Sequence, residues 1–262
     1  MILAVDVGNS NTTVGLFNGT GELLFRALLE TSRSKTRDQC AIELLGVFQL
    51  YGADACTVDG AILSSVVPPL TTIFTDAIAR LTGIPPMVVG PGIRTGLNIK
   101  AEIHNQLGSD IVASSVAAIA KYPSPIVMVD MGTATSLSLI VGSVYEGCII
   151  MPGLALALDA RPGGAAALPP ISIETASPVG LMGHTTEEAM RSGVLYGHAS
   201  MVDGMLERIE ESIGQSVTTV ATGGNAPRIL RYCKRPIQYD ADLIMTGLYL
   251  LYQKNAKKYR KA

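Results

Sequence analysis

Ile2-Leu3-Ala4-Val5-Asp6-Val7-Gly8-Asn9-Ser10-Asn11-Thr12-Thr13 recurs in altered form as Ile126-Val127-Met128-Val129-Asp130-Met131-Gly132-Thr133-Ala134-Thr135-Ser136-Leu137, and the reading of this pair decides the fold. Each copy reads as a buried strand, an Asp-x-Gly turn rich in small hydroxyl or amide side chains, and a second strand. Glycine lets the backbone approach a ligand closely, and Asn, Ser and Thr offer donors to phosphate oxygens. The Asp is placed to hold a cation or a water that neutralises phosphate charge. One copy alone reads equally well as an ordinary hairpin turn. Two copies at equivalent places in two halves favour a pair of phosphate loops.

The 262 residues are 48% hydrophobic and only 16% charged, enough to bury a large core. The repeat splits them into two lobes, 1–118 and 119–262, meeting somewhere around residues 110 to 125. With a formal net charge of −2, the chain lacks the clustered Lys and Arg that nucleic acid requires. The basic tail at 254–261 reads as a solvated helix end. Cys40, Cys56, Cys148 and Cys233 are widely spaced, and His104, His184 and His198 form no metal-ligand pattern. Reduced thiols, an apolar start too short for a signal peptide and no membrane-length apolar run together imply a cytoplasmic protein away from membranes.

Along the chain, 2–7 and 12–17 form the first expected hairpin, and 23–29 adds a third strand. Helical periodicity over 38–51 directs Ile42, Leu45 and Phe48 to a core. A strand at 61–67 stops at Pro68-Pro69. A helix over 70–81, a short strand at 87–89 and a glycine-rich loop at 90–96 follow. The small, apolar segment 108–121 suits a buried helix, with Asp110 near its start. The longest helix is expected over 186–213, ending near Gly214. A strand at 217–222 runs into Gly223-Gly224-Asn225-Ala226, and a last helix covers 241–257. Strands alternating with helices, plus hairpins, indicate an α/β fold with mixed sheets.

Four elements carry the chemistry: the loop Asp6 to Thr13, its counterpart Asp130 to Ser136, the Thr222-Gly223-Gly224 turn, and Asp110. A turn of the third kind lets backbone groups reach a ligand. A carboxylate such as Asp110, lying between the halves and flanked by Gly108 and Ser109, could take a hydroxyl proton in phosphoryl transfer; its plainer reading is a helix-start partner. Paired loops in duplicated halves are the arrangement of the actin, Hsp70 and sugar-kinase superfamily, with ribonuclease H-like lobes. The whole chain resembles the type III pantothenate kinases within it. The resemblance rests on Asp6-Val7-Gly8-Asn9-Ser10-Asn11-Thr12, Ser64-Ser65-Val66-Val67-Pro68-Pro69 and the segment from Val88 through Gly90-Pro91-Gly92-Ile93-Arg94-Thr95-Gly96 to Ile99. It continues through Gly108-Ser109-Asp110, Asp130-Met131-Gly132-Thr133-Ala134-Thr135, Pro152-Gly153, Ser192-Gly193 and Ala221-Thr222-Gly223-Gly224.

That resemblance implies ATP-dependent phosphorylation of pantothenate, Mg²⁺ with the nucleotide, a monovalent cation (K⁺ or NH₄⁺) and a homodimer. It implies that Asp6, Val7, Gly8, Asn9, Ser10, Asn11, Thr12 and Thr13 cradle the phosphates, with Thr133 touching them from the second loop. Gly223 and Gly224 would cover the adenosine, and Asp130 would hold the monovalent cation. Asp110 would be the general base in a pantothenate site formed with Gly108, Ser109 and Ile111, and Thr186 would reach the substrate held by the partner subunit. The chain departs from the family on the acceptor side. Ile111 stands where the family has Arg, Ser114 where it has Asn, and Cys148 where it has a second Gly; the segment 161–166 also differs. Without the Arg fork, a carboxylate loses a charge-assisted bond. The expectation is therefore weak use of pantothenate, with Arg94, Arg161 and His184 as the candidates to replace the missing Arg. The rival readings are a nucleotide-binding paralogue with an accessory role, or a kinase for another small hydroxylated acceptor.

Overall fold

Ile2–Val7 (β1), Asn11–Phe17 (β2) and Leu23–Glu30 (β3) form an antiparallel meander in the computed structural model, which describes residues 1–100, 107–159 and 179–259. Arg37–Leu50 (α1), Gly60–Ser65 (β4), Pro68–Thr82 (α2), Met87–Val88 (β5), Asn98–Ile99 (β6) and Ser109–Lys121 (α3) follow. β4 pairs parallel to β1, and β5 parallel to β4, so the sheet runs β3-β2-β1-β4-β5. The chain then starts again. Ile126–Met131 (β7), Ala134–Val141 (β8) and Val144–Pro152 (β9) repeat the meander. Leu154–Asp159 (α4), Thr186–Ile213 (α5), Thr218–Thr222 (β10), Ala226–Leu230 (α6), Gln238–Tyr239 (β11) and Leu243–Tyr259 (α7) complete it. β10 is parallel to β7 and to β11. Five neighbouring strands of the six-stranded second sheet, β9-β8-β7-β10-β11, match the order of the first sheet strand for strand, so the duplication read from two hairpins extends through five strands; β6 is the sixth, next to β9.

Two compact units result: Met1–Lys121 together with the chain from Asp242 onward, and Tyr122–Ala241. The first unit ends three residues later than the expected 118. It also holds α7, which the sequence division had left with the second half. The reason lies in packing. α7 lies against α3, β1 and β4, and its Gly247 comes so close that an added Cβ would sit 1.9 Å from the Ala113 carbonyl oxygen.

In this unit both faces of the sheet are buried, which is why β1 reads as an unbroken apolar run. Leu3, Val5, Val7, Leu16 and Leu63 pack with α1 and α2. Ile2, Ala4, Phe17 and Ile62 pack with Val116 of α3 and with Met245, Leu248 and Leu251 of α7. α1 buries Cys40, Leu44, Val47 and Phe48. Ile42 and Leu45, expected in the core with Phe48, are 67% and 43% exposed. Apolar residues lie on several sides of α1, and the ring pair of Phe25 and Phe48 fixes which side turns inward.

In the second unit Val127, Val129, Met131, Leu137 and Ala221 pack with Leu195, Ala199, Val202 and Leu206 of α5. Thr185 caps α5 by accepting the Glu188 N–H, and Gly214 ends it in the left-handed conformation. Among the described residues no helix is long and apolar enough to cross a membrane. His104, the segment 161–166 with Arg161, and Arg260 and Lys261 of the basic tail lie outside the described residues.

Candidate active site

The turn after β1 is closed by the Gly8 N–H donating to the Asn11 carbonyl at 3.0 Å, and it leaves Asn9, Ser10 and Asn11 exposed. Strand register sets Asp6 between Thr13 on β2 and Ser64 on β4. Asp6 is 8% exposed, and Ser64 and Val7 are fully buried. Thr12 is also fully buried, with its hydroxyl 2.8 Å from that of Thr31. It therefore braces the loop from beneath, while Asn9, Ser10 and Asn11 form its open rim.

α3 begins at the same end of the sheet. The Ser109 hydroxyl lies 2.9 Å from that of Ser64, accepts the Ser65 N–H at 3.1 Å and donates to the Ser65 carbonyl at 3.2 Å. Asp110 follows in the first turn. Burial pushes its carboxyl above the usual range, and the Ile111 N–H, donating to Oδ1 at 2.7 Å, partly opposes this. Gly108, Ser109 and Ile111 are half-buried around it, and Ser114 is buried one turn further on. The structure thus brings the first loop and the candidate base to one end of one sheet.

The second unit repeats the plan with a shorter turn. Asp130 sits between Ser136 on β8 and Thr222 on β10, as Asp6 sits between Thr13 and Ser64. The Gly132 N–H donates to the Ala134 carbonyl at 3.0 Å, leaving Thr133 exposed at the tip. Thr135, buried, places its hydroxyl 2.8 Å from His198 Nε2; burial lowers the pKa of that imidazole, so it stays neutral at pH 7. Gly223 has φ +90°, and a Cβ there would lie 2.6 Å from Asp130 Oδ1. Only glycine fits such a close left-handed turn. Asn225 ties this turn to the loop, its N–H donating to the Met131 carbonyl at 3.0 Å and its Nδ2 to the Gly132 carbonyl at 3.1 Å. Sequence reading placed Asn225 in the right segment without a role, because its partners lie more than ninety positions away in the chain.

The remaining candidates stand on other elements. Thr186 is exposed in the first turn of α5. Arg94 is exposed, and its backbone N–H and carbonyl are both held by the side chain of Asn255 on α7, at 2.9 and 3.0 Å. His184 is exposed, its N–H donating to Glu188 at 2.8 Å. Cys148 is exposed on β9, in register with Ser138. Among the described residues no three His, Cys, Asp or Glu side chains gather as a metal site. Asp6 and Asp130 each have residues with hydroxyl side chains as register partners, Thr13 and Ser64 for the first, Ser136 and Thr222 for the second.

Solved structures share this architecture. A conserved putative Baf family transcriptional activator from Campylobacter jejuni aligns with a TM-score of 0.60 at 19% identity, covering 97% of this chain and 99% of its own. A putative 2-dehydro-3-deoxygalactonokinase from Sinorhizobium meliloti aligns with a TM-score of 0.57 at 14% identity, covering 97% and 96%. With two mixed sheets of one topology and a loop at each first hairpin, the protein has the actin-like ATPase and sugar-kinase fold. Sequence narrows this further. The family model of type III pantothenate kinase matches residues 2–208. The type III pantothenate kinase of Exiguobacterium sp. is 38% identical over 258 residues, 98% of this chain and 100% of that one. The chain belongs to the type III pantothenate kinase family.

Proposed function

We propose that this protein transfers the γ-phosphoryl group of ATP to the hydroxyl of pantothenate, giving 4′-phosphopantothenate in the first step of coenzyme A synthesis. The observation that carries the reading is Asp110, a half-buried carboxyl held at the sheet end that also bears the Asp6 loop. In the reaction the pantothenate hydroxyl gives its proton to Asp110 while its oxygen bonds to the γ-phosphorus. The bond from that phosphorus to the β–γ bridging oxygen breaks, and ADP leaves. Asp110 then releases its proton to water.

The loop Asp6 to Thr13 cradles the phosphates through its exposed Asn9, Ser10 and Asn11, and Thr133 adds a hydroxyl. Gly223 and Gly224 offer close backbone approach to the adenosine. Mg²⁺ entering with the nucleotide would supply charge neutralisation, Asp6 being the carboxylate that would hold it, and a monovalent cation, K⁺ or NH₄⁺, would rest on Asp130. Gly108, Ser109 and Ile111 border the acceptor. Thr186 completes the acceptor site of a second copy in a homodimer. That assembly is supported by the side of α5 left open: Ala189, Gly193 and Gly197 are exposed, and beside them a groove of about 360 Å³ is rimmed by Leu181 and Met182, 64% and 78% exposed. Both substrates are small and polar, which fits a cytoplasmic enzyme acting on neither membranes nor nucleic acid.

The test is product identification. Purified protein with ATP, Mg²⁺, K⁺ and pantothenate should yield the phosphomonoester of pantothenate by mass spectrometry, more slowly when Na⁺ replaces K⁺. ADP formation with no phosphorylated pantothenate would overturn the assignment of acceptor, and equal rates in Na⁺ and K⁺ would remove the monovalent site.

A further inference from the structure

Ser109 stands in the motif that borders the acceptor, yet its hydroxyl meets three partners on β4. A serine hydroxyl has one proton to give and two lone pairs. That of Ser109 is placed to donate to the Ser65 carbonyl at 3.2 Å, accepts the Ser65 N–H at 3.1 Å and lies 2.9 Å from the hydroxyl of fully buried Ser64. Each of these partners is a protein group at the end of β4. All three bonds bridge 44 or 45 positions of sequence, from the last two residues of β4 to the first residue of α3.

Ser64 is also the register partner of Asp6 on β1. Strand register, one hydrogen bond and one peptide link therefore relate the phosphate-loop carboxylate to the candidate base: Asp6 beside Ser64 in the sheet, Ser64 bonded to Ser109, Ser109 preceding Asp110. The sheet is the rigid member, buried on both faces. The first turn of a helix is the member free to fray, since its leading N–H groups lack intrahelical partners.

We propose that Ser109, with Ser64 and Ser65, is a positioning latch that fixes the start of α3 to the end of β4 and so holds Asp110 at a set distance from the phosphate loop. The proposal rests on the kinase reading for its purpose and on the geometry above for its mechanics. In-line transfer makes such a latch useful, because a displacement of about 1 Å in a reacting group costs on the order of a hundredfold in rate.

The test compares Ser109→Ala, Ser109→Thr and Ser64→Ala with the parent, each checked for folding by circular dichroism. Two readouts are taken. With pantothenate and ATP, Ser109→Ala should lower kcat at least about tenfold at nearly unchanged ATP KM, and Ser109→Thr, which keeps the hydroxyl, should recover most of that loss. Ser64→Ala removes one of the three bonds and should fall between. A raised pantothenate KM at parental kcat would instead make Ser109 a ligand contact and overturn the latch, as would an unaltered kcat. The second readout needs no acceptor: the titration of the Asp110 carboxyl by ¹³C NMR. Unlatching the first turn should let water reach Asp110 and move its titration down towards the ordinary carboxylate range in Ser109→Ala, much less so in Ser109→Thr. An unmoved titration would refute the latch. If the parent itself leaves pantothenate untouched, the kinase reading fails while the carboxyl titration still decides the latch.

Discussion

An ionised Asp110 is costly in the first turn of α3, because burial strips water from the carboxylate and the Ile111 N–H offsets only part of the loss. The raised pKa gives this a pH signature. Below the ordinary carboxylate pKa the group is neutral in both folded and unfolded chains and costs nothing. As pH climbs through the ordinary value towards the raised one, the unfolded chain ionises first and stability is lost. Asp110→Asn should therefore melt at a higher temperature than the parent at pH 7, with the gain vanishing near pH 3, in paired thermal melts. Equal shifts at both pH values would mean that the effect is packing and not charge. One position further on, Ile111 offers the acceptor neither charge nor donor. Ile111→Arg should lower the pantothenate KM roughly tenfold, the scale of one charge-assisted bond at about 1.5–3 kcal/mol, at little-changed ATP KM. No gain would mean that Arg94, exposed and fixed by Asn255, already serves.

Among the elements, the Gly223 turn is the most constrained part of the second loop system. Gly223→Ala adds a methyl 2.6 Å from Asp130 Oδ1 in a backbone conformation that disfavours any side chain. Overpacking of this kind costs about 1–3 kcal/mol. It should appear as a rise of roughly tenfold in ATP KM with pantothenate KM unmoved; parental ATP KM would detach this turn from the nucleotide.

The hairpins were legible because an apolar run, a polar turn and a second apolar run form a local signal. α5 was legible to the residue because Thr185, its acidic first turn and Gly214 are local stop and start marks. The inward side of α1 was not, since Ile42, Leu44, Leu45 and Val47 offer apolar stripes on more than one side and only the sheet chooses between them. The place of α7 was hidden for the same reason: its partners, β1, β4 and α3, lie far back in the chain. In the site, the carboxylates were readable as motif residues. The hydroxyls and amides that tie the neighbouring segments together, Ser64, Ser109 and Asn225, do so by long-range hydrogen bonds that no spacing announces.

For the whole molecule, the matching order of the two sheets turns a repeat of twelve residues into a repeat of the fold. The surroundings of the two carboxylates differ: Ser64 and the start of α3 on the side of Asp6, the Gly223 turn beside Asp130. In the proposed homodimer a second copy would cover the open side of α5. Light scattering at micromolar concentration should report twice the 27.5 kDa chain mass, and Gly193→Arg should reduce it to a monomer. A parent that is already monomeric would remove Thr186 from the acceptor site.

The proposed reaction turns on Asp110 accepting the proton of the pantothenate hydroxyl. It is tested most directly by ADP release from ATP, Mg²⁺ and K⁺, with and without pantothenate, in the parent and in Asp110→Asn, alongside calorimetric ATP affinity. The parent should release ADP only when pantothenate is present. The variant should lose roughly a hundredfold or more of that rate while binding ATP as the parent does. Comparable turnover in the two proteins, or ADP release indifferent to pantothenate, would contradict the account.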